Sequence, residues 1–202
     1  MYLIALAVVV GVYVAFAYNG LVKLRVLAEN AWADIDVQLK RRHDLIPNLV
    51  EVVRGHAGFE RGTLEDVVAA RGRAISAEGP AARGAAEGGV TSALGRLFAL
   101  AESYPDLKAA ASYARLQESL VGVEDALQNA RRYYNAVVRD LNTAIQRVPS
   151  NIVASLFGFR RREYFQLESG DEAAVPAVEL GGGEKLEVGR LKSEHRVALR
   201  RD

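Results

Sequence analysis

Cysteine is absent from all 202 residues. Its absence removes disulfides, thiolate nucleophiles, cysteine-based zinc sites and lipid attachment to cysteine, and leaves the redox compartment unread. Histidine is scarce: His43, His56 and His195 are far apart in the chain, so no histidine-rich metal site is expected, and the residues predict neither a metal nor a cofactor. Net charge is also nearly absent, at +1. A global basic field of the kind that gathers nucleic acid is therefore excluded. A quarter of the residues are nonetheless charged and half are hydrophobic, the ordinary composition of a packed globular protein.

The most informative absence is local. Residues 1–22, MYLIALAVVVGVYVAFAYNGLV, carry no charged side chain. As a helix they would extend about 33 Å at roughly 1.5 Å per residue, against a hydrocarbon core about 30 Å thick. A secretory signal peptide is the rival reading, but it would place a basic region ahead of the apolar run and a small-residue cleavage site after it. No Lys or Arg precedes the apolar run, and the helical pattern continues past Val22. The segment is expected to be an uncleaved, single-pass anchor. The first basic residues after it are Lys23 and Arg25, followed by Lys40, Arg41 and Arg42. The positive-inside rule then puts the N-terminus outside and the rest of the chain on the cytoplasmic side of the cell (inner) membrane.

From Tyr18 to Val53 the pattern is that of one long helix. Leu24, Ala28, Ala31, Ile35, Leu45, Leu49 and Val52 form one apolar stripe, and Trp32, Ile35, Leu39, Ile46, Leu49 and Val53 a second. Two overlapping stripes make a broad buried face. Arg42 falls near its centre, where a guanidinium must meet a carboxylate or a wet cavity. Glu124, with Glu118 as the alternative, is its expected partner. Pro47 removes the backbone hydrogen bond to the carbonyl of His43 and is expected to kink or divide the helix. GHAG, residues 55–58, reads as the turn that ends it.

Further along, a second helix is expected over about 59–77, a Gly- and Ala-rich mobile connection over 76–89, and a third helix over about 90–104. A long fourth helix is expected over about 106–148, with the seam Ala109, Tyr113, Leu116, Leu120, Val123, Leu127, Ala130, Tyr134, Val137 and Leu141. Such 3–4 spacing suits coiled-coil-like packing against the first helix. Residues 150–157 form one more short helix, 160–167 an extended strap, and 168–202 a flexible tail with some helical tendency near Leu191–Leu199. The expected fold is all-α. An N-terminal transmembrane helix (1–22) continues into an antiparallel helical bundle built on two long helices (23–167), followed by the tail (168–202).

Several long motifs coincide with one family. YNGLVKLR (Tyr18–Arg25) and NAWADIDVQLKRRHDLIPNLVE (Asn30–Glu51) open the resemblance. LFALAESYPDLKA (Leu97–Ala109), LQESL (Leu116–Leu120), ARRYYN (Ala130–Asn135), VPSNIVASLFGF (Val148–Phe159) and EYFQ (Glu163–Gln166) follow in order. Over roughly residues 1–167 the chain resembles the LemA family of bacterial membrane-anchored proteins. The resemblance implies a single N-terminal span followed by an antiparallel helical bundle, and it brings no catalytic residues. It also implies a setting near membrane proteases in some genomes and at magnetosome membranes in one branch.

The candidate site is the polar run of the first long helix: Asp34, Asp36, Gln38, Lys40, Arg41, Arg42, His43, Asp44 and Asn48. It reads either as a partner-binding face or as helix electrostatics, with Asp36–Lys40 a favourable pair and Gln38 placed to meet Asp34 and Arg42. Lys40 lies about 30 Å beyond Tyr18 along a straight helix, far outside a Debye length of about 8 Å, so it is not expected to touch lipid. His43 beside Asp36 or Asp44 suggests a general base, but no nucleophile accompanies it; His56 is expected to be exposed. Tyr113, Tyr133, Tyr134, Phe98 and Trp32 are expected in the bundle core rather than around a ligand. Arg160, Arg161 and Arg162 with Tyr164 and Phe165 could contact nucleic acid or lipid headgroups, but read better as a strap across the bundle.

The functional expectation is a non-catalytic scaffold or adaptor that engages a membrane protein, a membrane protease among the options, or a second copy of itself. A self-associating, membrane-organising protein is one alternative, and a hydrolase with a site among the bundle helices is another.

Overall fold

A computed structural model describes residues 1–55 and 60–167. His56, most of the expected GHAG turn and the tail from Glu168 lie outside those residues. Among the described residues the fold is all-helical: α1 Tyr2–Arg54, α2 Arg61–Ser76, α3 Pro80–Ala101, α4 Pro105–Ala109, α5 Ala111–Gln146 and α6 Ser150–Leu156. The helix α1 is long and apolar enough at its N-terminal end to cross a membrane.

Helices α1 and α5 run antiparallel along each other. Leu21–Leu39 of α1 share a core with Leu127–Leu141 of α5, whereas Ile46–Val53 share a second core with Tyr113 and Leu120. The first core, nearer the apolar end of α1, is closed by α6 and by Phe165 and Leu167. Helices α2, α3 and α4 close the second. The seam expected on α5 is buried at Tyr113, Leu120, Val123, Leu127, Tyr134, Val137 and Leu141 and half-buried at Leu116 and Ala130, while Ala109 is exposed.

The course of the helices differs from the sequence reading in three places. Pro47 does not divide α1, which runs through it to Arg54. The His43 carbonyl that Pro47 cannot bond accepts a hydrogen bond from Arg71 Nε of α2 at 2.8 Å, so the break in the ladder is repaired from a neighbouring helix. Pro47→Ala restores the donor, and Arg71→Ala then costs less in that background than in the native chain. The expected coupling is about 1 kcal/mol, read from a double-mutant cycle in urea.

The expected mobile connection is helix α3 from Pro80 onward. Proline suits the first helical position, alanine is the best helix former, and Gly84, Glu87 and Gly88 are all buried in the bundle. Packing there outweighs the roughly 1 kcal/mol that each interior glycine costs.

The third difference is a break between α4 and α5 at Ala110, which is extended (φ −69°, ψ 120°). No proline or glycine marks it. Leu107 and Tyr113 are both buried in the same core, yet six residues along a continuous helix are about 1.7 turns apart and face different ways. Breaking the helix lets both side chains enter.

After α6 the chain reverses at Gly158, whose φ is 71°. The Phe159 amide bonds the Ala154 carbonyl at 2.9 Å and the Gly158 amide that of Ser155 at 3.3 Å, the pairing that closes a helix with a left-handed glycine. Residues 159–167 then form an ordered strap without regular secondary structure. Two asparagines one heptad apart hold it. Asn142 donates to the Arg162 carbonyl and accepts from the Arg162 amide, both at 2.9 Å. Asn135 does the same with Phe165. The Tyr134 hydroxyl donates to the Glu163 carbonyl at 2.9 Å.

Burial pushes the Tyr134 hydroxyl above the usual tyrosine range; Arg162 opposes the shift and Glu163 adds to it. The unfolded tyrosine therefore ionises first. Its contribution to stability is complete below about pH 10 and is lost as pH rises through the folded value. Tyr134→Phe is expected to flatten the decline of urea stability above about pH 10.

Candidate functional site

The centre of the candidate site lies between the two apolar cores. Arg42 is preceded on its face of α1 by Leu39, which packs in one core, and followed by Ile46, which packs in the other. Only 3% of Arg42 is exposed. Its Nη2 reaches Glu124 at 3.1 Å on α5 and Thr91 Oγ1 at 2.9 Å on α3. Its Nη1 reaches Glu87 at 3.2 Å, also on α3. Glu87 is fully buried, and its second carboxylate oxygen meets His43 Nε2 at 2.7 Å. Against an ionised carboxylate, which only accepts, the His43 Nε2–H is the donor of this contact. Thr91 in turn donates to the Glu87 carbonyl at 3.2 Å.

Each partner follows from the geometry of its helix. Glu87 and Thr91 are one turn apart on α3, so one face presents both to Arg42. Glu124 follows Val123 on the α5 seam and keeps a quarter of its side chain in solvent. The result is a polar layer that ties α1, α3 and α5 together. Burying these charges costs desolvation that their mutual attraction repays only in part.

The sequence reading missed Glu87. It lies in a Gly- and Ala-rich stretch read as a connection, where a carboxylate has no fixed facing. The available signal was Glu87 with Thr91 and Val90–Leu94, an i,i+4 continuation of the third helix back through the glycines.

The remaining candidate residues separate by helix face. Asp34, Arg41, Asp44 and Asn48 are exposed and lie on one stripe of α1. Asp36 does not use Lys40 as its partner. It pairs with Arg83 of α3, whose guanidinium also lies 5.6 Å from the centre of the Trp32 ring. Gln38 Oε1 is buried and, among the described residues, has no hydrogen-bond partner, so the expected bridge to Asp34 and Arg42 is not made. Asp36, Lys40, His43 and Asp44 line a cleft of about 270 Å³ together with Arg71 and Arg83. It combines the His43 imidazole, held by the Glu87 carboxylate, with the cations Lys40, Arg71 and Arg83 and the carboxylates Asp36 and Asp44. No hydroxyl side chain lines it.

The aromatic residues divide between the two cores. Trp32 meets Tyr134 at a tilt and Phe165 edge-to-face, with ring centres 5.4 and 5.7 Å apart. Tyr113 and Phe98 belong to the other core, and Tyr133 is exposed. Trp32 and Tyr134 also border an open cleft of about 450 Å³ beside the strap. Among the described residues, no group of three or more His, Asp or Glu side chains is placed to hold a metal.

Comparison with known proteins gives the following. The sequence model of the LemA family matches residues 31–180, starting and ending later than the motifs quoted above. The magnetosome protein MamQ of Magnetospirillum gryphiswaldense is 31% identical over 73% of this chain and 64% of its own length. Magnetosome protein MamQ 2 of Paramagnetospirillum magneticum is 29% identical over 81% of this chain and 70% of its own. Protein LemA of Metamycoplasma hominis is 25% identical over 75% of this chain and 70% of its own. The chain thus spans a little under two thirds of the first of these relatives.

Proposed function

This chain belongs to the LemA family, and on that premise we propose that it is a non-catalytic, membrane-anchored platform that engages a partner protein, or a second copy of itself, through the exposed face of α1. One observation carries the reading: α1 is a single helix from Tyr2 to Arg54. The uncharged segment and the bundle core are parts of the same rigid rod, and whatever holds one end holds the stripe Asp34, Arg41, Asp44 and Asn48 at a fixed height. With Lys23 and Arg25 as the first charges after the anchor, the N-terminus lies outside and the bundle on the cytoplasmic side. The names of the relatives refer to a magnetosome and to a family, not to a reaction, which fits a platform better than an enzyme.

Photoreactive residues at Lys40 and Asp44 of the full chain in cells test this. One dominant foreign crosslink supports the adaptor role and identifies the partner. Self-crosslinks alone support a self-associating, membrane-organising protein. Absence of crosslinks at both positions contradicts a binding role for this face.

The His43–Glu87 pair facing the cleft favours a second reading, a hydrolase. It requires His43→Ala or Asp44→Ala to abolish a turnover of the protein while leaving its thermal stability intact.

A further inference from the structure

Helix α6 has two apolar faces but only one of them is covered. Val153 and Ala154 are buried against α1 and α5, while Ile152 and Leu156, one turn apart, are 66% and 74% exposed, and Phe157 beside them is 50% exposed. The uncovered face sits beside the end of the uncharged segment of α1. Tyr18 packs on Phe157 with ring centres 4.8 Å apart and on Phe159 at 5.8 Å. Leu21 is buried in the same core as Val153 and Ala154, and Val14 and Ala17 pack against that core. Any bilayer that covers residues 1–22 must therefore meet α6 at the same depth.

The charges beside this face are one-sided. Arg25, Arg160, Arg161 and Arg162 line a cleft of about 240 Å³ with Gly158 and Phe159. Arg162 is paired with Glu29 at 2.6 Å, and Arg25 lies over the Phe159 ring at 5.5 Å. Arg160 and Arg161 are exposed, and among the described residues neither has an ion pair. Apolar side chains on a short helix next to arginines are the makings of a surface that lies in the lipid interface, with its apolar face among the acyl chains and its cations at the phosphates.

We propose that α6 is a second membrane contact: Ile152, Leu156 and Phe157 insert into the leaflet at the bundle end of the anchor, and Arg25, Arg160 and Arg161 hold anionic lipid headgroups. The proposal rests on residues 1–22 being an anchor. With both contacts made, the bundle cannot swivel about α1, and the partner face of α1 has a fixed orientation as well as a fixed height.

The chain has no cysteine, so single cysteines introduced into the full chain can be labelled cleanly with an environment-sensitive fluorophore. The labelled chains are reconstituted in phosphatidylcholine vesicles with and without phosphatidylglycerol, and quenching by doxyl-labelled lipid is measured. Val10→Cys reports the anchor, Ile152→Cys and Leu156→Cys report α6, and Val121→Cys, exposed on α5 near the other core, reports the aqueous surface. Quenching at Ile152 and Leu156 is expected to approach that at Val10, to exceed that at Val121 several-fold, and to increase with phosphatidylglycerol. Arg160→Gln with Arg161→Gln should weaken the dependence on phosphatidylglycerol, leaving the part due to Arg25; if the dependence is unchanged, those two arginines do not hold headgroups. Strong quenching at Val10 with Ile152 and Leu156 no higher than Val121 overturns the second contact and leaves the anchor standing. No quenching at Val10 overturns the anchor and the second contact with it.

Discussion

Replacing Arg42 by methionine lowers stability by about 3–5 kcal/mol, because it leaves the Glu87 carboxylate buried with His43 as its remaining partner. For a chain of this size that is a fall in the unfolding midpoint of roughly 6–20 °C. Glu87→Leu costs a similar amount from the other side, since Arg42 is itself buried and keeps only Glu124 and Thr91. The two effects do not add. With both replaced, the buried charges at the centre of the layer are gone, although Thr91, His43 and the partly exposed Glu124 remain there, and a buried ion pair exchanged for packed side chains is close to neutral. The double variant should therefore be more stable than either single one. If its loss equals the sum of the two, Arg42 and Glu87 do not act as a pair. Glu124→Gln is the milder control, at under about 1 kcal/mol, because that carboxylate is partly in solvent and already screened.

Gly84→Ala is the second large effect, and it has the opposite sign from the usual glycine-to-alanine change in a helix. A methyl group at Gly84 would overlap the Gln166 carbonyl oxygen and lie 2.9 Å from its carbon. Backbone occupies that space, so either α3 or the strap must move. Overpacking costs about 1–3 kcal/mol, and unseating the buried Phe165 ring would cost about 1.5–3 kcal/mol. The expected loss is roughly 3 kcal/mol. Trp32, the single tryptophan of the chain, packs against Phe165 and so reports the seat directly: its emission should shift to longer wavelength. Gly89→Ala and Gly95→Ala meet open space in the same helix. They should stabilise by about 0.5–1 kcal/mol and leave the emission unchanged.

These two residues also mark the limits of reading the sequence. The apolar N-terminal helix, the buried face of α1, most of the α5 seam and the need for Arg42 to find a carboxylate were legible, because apolar period and the cost of burying a charge are local facts. Glu87 was not. Its facing depends on α3 extending back through Gly84 and Gly88, and glycine there signals close approach of a strap that lies some eighty residues later in the chain. Pro47 misled for the same reason: the proline identifies the orphaned carbonyl of His43, but only the fold supplies Arg71 to occupy it. The break at Ala110 has no local signal at all. It arises because one core takes both Leu107 and Tyr113. Of the candidate polar run, the residues that point outward could be named but not given a role, since exposed charge is equally a solvated surface and a docking face.

The proposed function depends on α1 being rigid from the span into the bundle, and a single distance tests it. Spin labels at Val12→Cys and Asp44→Cys, both at exposed positions, are measured by pulsed electron resonance in the full chain in lipid nanodiscs. An unbroken helix places them about 48 Å apart at roughly 1.5 Å per residue, with a narrow distribution. A broad distribution, or a mean well below that distance, would show a joint between anchor and bundle and would contradict a platform held at fixed height.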